Sequence, residues 1–110
     1  MNIVLDHGCD WRESFQMVGP DLVTPVDCTG GLLSGQIRTA PYPEGDLLGE
    51  FSFEWTDIDT GDFEAVVVKE TSNGIADGLH FYDWLFIDSN GRTGKIRSGR
   101  ATKQGTYTEI

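Results

Sequence analysis

Positive charge is scarce in this chain. Eight Lys and Arg stand against eighteen Asp and Glu, leaving a net charge of −10. Nucleic-acid binding needs clustered cations to displace counterions from phosphates, so the balance argues against a nucleic-acid partner. Potential metal ligands of the softer kind are few: Cys9, Cys28, His7 and His80 are all there are, with no CxxC pair among them. That set has no zinc-site spacing. The start, "MNIVLDHGCDW", has neither a basic lead nor a long apolar run, so no signal peptide is read there. No apolar stretch approaches the roughly 18 residues that cross a bilayer, and no membrane partner is expected. The chain is therefore expected to mature in a reducing cytosol, where a disulfide does not persist, and both cysteines read as small buried hydrophobes. Long helix-forming runs are also missing; "KETSNGIAD" allows one turn at most.

Period-2 alternation is abundant instead, the pattern of half-buried strands. "FSFEWT" sets Phe51, Phe53 and Trp55 against Ser52, Glu54 and Thr56. "WRESFQMV" sets Trp11, Phe15 and Met17 against Arg12, Ser14 and Gln16, and "DFEAVVVK" sets Phe63, Ala65 and Val67 against Glu64, Val66 and Val68. "LLSGQIRTA" opposes Leu33 and Ile37 to Gln36 and Arg38. With "NIVLD", "HFYDWLFID" and "GKIRSGRATK" this makes about seven strands. The segments between them, "VGPD", "TGG", "PYPEGD", "DIDTGD" and "DSNGR", are rich in turn formers, and Asn90-Gly91 reads as a two-residue hairpin. Fourteen glycines and 38% hydrophobic residues in 110 positions fit one all-β domain over residues 1–110, an immunoglobulin-like antiparallel sandwich first and a small barrel second.

No chemistry emerges from the motifs. "DIDTGDFE" brings Asp57, Asp59 and Asp62 close together, but Gly61, Asp62 and Val68 break the calcium-loop pattern, and a hairpin turn accounts for the acids. No Ser–His–Asp or Cys–His grouping can be placed, so the chain is expected to be no enzyme and to carry no catalytic residue, cofactor or metal. Trp11, Trp55 and Trp84 raise a sugar-stacking platform as an alternative, against core packing.

The charge is uneven: residues 92–110 sum to +4 and residues 1–91 to −14. Either a basic last strand balances an acidic sheet, or an acidic body meets the basic end of a neighbouring copy or partner. The stretch "HFYDWLFID" carries large apolar groups on both faces. Asp83 is costly to bury without a partner, which turns His80, Tyr82, Trp84 and Phe86 to the core and leaves Phe81, Leu85 and Ile87 outward. That row, about 20 Å long by strand geometry, is either overlaid by the chain's own loop or terminus, or is a contact surface; protein association is preferred. The candidate interface residues are Phe81, Leu85 and Ile87, with Arg97 and Arg100 from the basic last strand.

Taken in order, "DWRESFQMV", "VDCTGGLLSGQIR" (Asp27, Thr29, Gly30, Gln36, Ile37, Arg38), "KETSNGIAD", "GLHFYDWLF" (Gly78, Tyr82, Asp83) and "DSNGRTGKIRSGRAT" (Asp88, Gly91, Gly99) resemble a group of small immunoglobulin-like structural proteins of tailed bacteriophages. These proteins occur in tails and baseplates, and include the N-terminal module of baseplate upper proteins. The chain departs from their pattern at His80, where an aromatic residue is usual. The resemblance implies a non-enzymatic virion protein, in the tail or baseplate or as an adaptor, assembled in the host cytoplasm through contacts with other virion proteins or copies of itself. A capsid decoration protein is the alternative in the same class. A carbohydrate-binding β-sandwich is the alternative from another.

Overall fold

The computed structural model describes residues 2–19, 23–41 and 44–104. Pro20 and Asp21 of the expected "VGPD" turn, Tyr42 and Pro43 of "PYPEGD", and Glu109 lie outside the described residues. Eight strands form two sheets: β1 (Ile3–Asp6), β2 (Trp11–Gln16), β3 (Leu32–Arg38), β4 (Leu47–Glu50), β5 (Ser52–Asp57), β6 (Asp62–Val67), β7 (Gly78–Ile87) and β8 (Thr93–Gln104). The larger sheet runs β1-β8-β7-β3-β4 and the smaller β2-β6-β5. Every pairing is antiparallel except β1 with β8, which is parallel. The chain crosses between sheets after β1, β2, β4 and β6, the connectivity of an immunoglobulin-like sandwich with one extra strand beside the third.

The alternating segments form strands because each has one face to bury. Phe63, Ala65 and Val67 of β6 meet Tyr82 and Trp84 of β7 and Ile37 of β3 in one core, joined by Leu5 and Ile3 of β1. Trp84 is its centre, only 1% exposed. The rings of Phe15, Phe53 and Phe51 meet it edge-on at 5.0, 5.3 and 5.4 Å between centroids. Truncating a buried aromatic of this kind costs about 3–5 kcal/mol. Trp11 and Trp55 are half-buried and pack against the same core, so none of the three tryptophans stands clear of the body.

Several local expectations change. Leu47–Glu50 is an eighth strand, paired to β3 within a stretch that reads as turn and connection. The β7–β8 hairpin is not a two-residue turn but spans Asp88 to Arg92. Asp88 Oδ1 accepts the Asn90 and Arg92 N–H groups at 2.9 Å each, and Gly91 takes φ 84°. The single α-helix, α1 (Lys69–Asn73), is one turn. Cys28 is buried as expected, but Cys9 is exposed on the β1–β2 connection, where neither sheet reaches over it. Burial, with the Asp27 carboxylate next in the chain, pushes the Cys28 thiol above its ordinary value.

Lys103, counted from sequence with the basic end, is 2% exposed and turned into the sandwich. Its ammonium donates to the Ser72 and Ile75 carbonyls at 2.6 and 2.8 Å. These carbonyls lie at the C-terminal end of α1, where a helix leaves acceptors unfilled and favours a cation. The lysine thus fastens the α1 corner to β8.

Candidate protein interface

The outer face of the larger sheet is built by the residues of β7 that alternate with its core residues. Phe81, Asp83, Leu85 and Ile87 point there. Phe81, Leu85 and Ile87 are half-buried, neither covered by the chain nor fully open. Leu32 and Leu79 on the same face are 64% and 49% exposed, and extend the apolar row at both of its ends.

Strand pairing places charge around the middle of this row. Phe81 pairs with Arg100 of β8 and Arg38 of β3; Leu85 pairs with Lys95 and Ser34; Asp83 lies between them, opposite Ser98 and Gln36. Arg38, Lys95 and Arg100 thus flank Asp83, and Glu50, paired with Gln36 on the far side of β3, adds a second carboxylate to the same face. Asp83 faces outward as its alternation requires, yet it is only 6% exposed, a correction to the expectation that it would be solvated. Among the described residues its Oδ2 accepts no hydrogen bond.

Two shallow depressions flank β7 here and share Asp83. One, about 310 Å³, lies over β3 between Ser34, Gln36 and Arg38; the other, about 250 Å³, lies over β8 between Lys95, Ser98 and Arg100.

Arg97 and Arg100 do not share a face. Arg100 is exposed on the outer side, whereas Arg97 pairs with Trp84 and points inward. Its guanidinium lies 4.3 Å from the Phe15 ring centroid and 5.0 Å from that of Trp84, closing the open edge of the sandwich beside β2. Cation–π contacts of this sort contribute about 0.5–1 kcal/mol near the surface. Burial raises the Tyr82 hydroxyl above its ordinary value; the charge and hydrogen bond of Arg97 act against that, and the Glu13 carboxylate adds to it. The odd separation of 97 and 100 already places them on opposite faces of a strand.

The remaining candidates resolve into local structure. In the acidic turn the Thr60 hydroxyl donates to Asp62 Oδ2 at 2.7 Å, and Gly61 supplies the left-handed residue that closes it. Asp27 accepts both the hydroxyl and the N–H of Thr29, which hold its carboxyl below the usual range. Among the described residues no group of three or more His, Cys, Asp or Glu is disposed around a common metal position. No helix among them is long and apolar enough to cross a membrane. His80 Nε2 donates to the Ala76 carbonyl at 2.7 Å, four residues upstream, the kind of bond that a tyrosine makes at the corresponding corner of immunoglobulin domains.

The feature that sequence reasoning missed lies on the other sheet. In the β5–β6 ladder Glu54 pairs directly with Glu64, and Asp57 with Asp62. Arg12 of β2 donates to Glu64 at 2.8 Å. No signal in either strand alone could show this, because register is a property of the pair.

No family model matches the chain, and no curated protein matches it.

Proposed function

We propose that this chain is a non-enzymatic structural module of a tailed-phage virion, sited in the tail or baseplate or adapting one larger component to another. It works through protein–protein contacts in a multi-copy assembly. The observation that carries the reading is the outer face of the larger sheet. A row from Leu32 through Ile87, Leu85 and Phe81 to Leu79 leaves apolar area in water on a rigid sandwich. Contiguous apolar area of this kind on a folded domain is characteristic of contact surfaces. The order of sequence segments that resembles phage immunoglobulin-like proteins supports the same reading and supplies its setting.

The test is to label the protein on purified particles of the phage that encodes it and to image them at low resolution. Label on the tail or baseplate, at six to a few tens of copies by quantitative mass spectrometry, is the expected result. Hundreds of copies over the shell would assign it to capsid decoration instead. Its absence from the particles would overturn the proposal.

A further inference from the structure

We infer that two copies of this chain pair about a twofold axis through the outer face of the larger sheet, the line between β7 and β3 of one copy lying over the same line of the other. This rests on the reading above of that face as a contact surface, and names its occupant: a second copy.

Strand order sets the axis. β1 pairs only with Ala101–Gln104 at the end of β8, so the wide part of the sheet is β8-β7-β3-β4, and its midline falls between β7 and β3. Sheets that pack face to face keep their strands within about 30° of each other. A twofold axis along that midline, in the plane of contact, meets this condition. It lays β7 of each copy over β3 of the other, and β8 over β4, an isologous contact that closes at two copies.

Register then fixes what meets what. From β8 to β4 the row through Asp83 reads Ser98, Asp83, Gln36, Glu50. Turned over, it sets each Asp83 against Gln36 of the other copy, and each Glu50 against Ser98. Asp83 lines both depressions and, among the described residues, has an oxygen with no donor. The Gln36 side-chain oxygen accepts from Arg38 of its own chain, which leaves its amide N–H groups to donate elsewhere. Exposed Glu50 lands between Lys95 and Arg100 of the other copy, the outward residues on either side of Ser98. Within one chain Glu50 is three strands away from Ser98, about 14 Å, so that pairing exists only between copies. The next two rows, Leu85 beside Ser34 and Ile87 beside Leu32, meet their counterparts in one apolar patch. There Leu32, 64% exposed in the single chain, covers Ile87 of the other copy.

The other charges of this face lie away from its centre. Arg38 stands in the Phe81 row and donates to its own Gln36 and to the Gly45 carbonyl. Asp6 is opposite Gln104, at the far corner of the sheet. Pro41 of the β3–β4 connection borders the depression beside Phe81 and limits the contact at that end. The footprint is therefore the rows of Asp83, Leu85 and Ile87, roughly 20 Å by 20 Å. That is small against the roughly 800 Å² per copy of a standard interface, so the dimer is a weak one. It forms at the high local concentration of a multi-copy assembly more readily than in dilute solution.

Sedimentation velocity of the full chain at low salt, from micromolar to millimolar concentration, tests this. The expected result is one further species at twice the 12.2 kDa mass, none larger, its share rising with concentration. Glu50→Lys and Lys95→Glu should each weaken the dimer by about tenfold or more, since a twofold contact repeats each like-charge pair. Both residues are exposed, so circular dichroism should show both variants folded. An equimolar mixture of the two should dimerise again, because reversed position 50 then faces reversed position 95 and the native pair faces itself unchanged. A mixture that stays dissociated, or species that grow beyond two copies, would overturn the inference. So would a wild-type chain that remains at 12.2 kDa at millimolar concentration. In that last case label on the particles would still sustain the architectural reading, with another virion protein on this face. A dimer that responds to the charge reversals, with no label on the particles, would keep the contact and remove its virion setting.

Discussion

Gly35 lies opposite Trp84 in the β3–β7 ladder, on the core side of the sheet. A Cβ there would stand 2.7 Å from Trp84 Cδ1 and 3.0 Å from carbons of both Phe51 and Phe53. Three rings converge on the space that a missing side chain provides. Gly35→Ala should therefore cost about 1–3 kcal/mol as the rings are forced apart, measured by urea denaturation. A variant as stable as the wild type would mean that the cluster has slack. The neighbouring Tyr82 makes stability depend on alkaline pH. Its hydroxyl is raised from 10.0 in the fold, and the Cys28 thiol is raised from 9.0. Both groups are favoured neutral when folded. Their contribution is complete below the unfolded values and is lost as pH rises through the folded ones. Melting temperature should accordingly fall from about pH 9 upward, and Tyr82→Phe should flatten the part of that decline above about pH 10.

Alternation makes the face of nearly every strand legible in sequence, because the side-chain period of a strand is two residues whatever its neighbours are. It places Phe63, Ala65 and Val67 inward and Glu64 outward before any partner strand is known. It says nothing about what lies opposite Glu64. The β5–β6 register answers with Glu54, an arrangement that costs stability in the isolated chain. Glu54→Gln should raise the unfolding free energy by about 0.2–1 kcal/mol at protein concentrations where the chain is alone. A neutral or negative effect would show that solvent and Arg12 already relieve the pair. The strand β4 escapes sequence reading for a different reason. "LLGE" is too short to display a period and sits beside turn-forming residues, so only pairing with β3 makes it a strand.

For the whole molecule, the decisive contrast is between the two sides of the larger sheet. The inner side is closed by the smaller sheet; the outer side keeps Phe81, Leu85 and Ile87 half-exposed. Leu85→Asp tests which kind of surface this is. The variant is expected to keep its circular dichroism and cooperative melting while losing association, because Leu85 contributes to the outer face and not to the central cluster. A variant that unfolds instead would place Leu85 in the structural core and withdraw the face as a contact surface. The basic residues of β8 show how a charge count divides once the chain folds. Lys103 goes to the α1 corner, Arg97 to the rings at the sandwich edge, and Lys95 and Arg100 to the outer face.

By itself the amino-acid order determined the fold class, the inward and outward residues of its longer strands, and the acidic excess. All of these follow from local periodicity and composition. Tertiary structure alone decided which strands are neighbours, and with that everything depending on juxtaposition across the chain. The acid pairs of β5 and β6, the burial of Lys103 and the burial of Asp83 on the outer face of the larger sheet are such features. Residues far apart in sequence meet only when two particular strands exchange hydrogen bonds in one register, and no periodicity within a single strand encodes that choice.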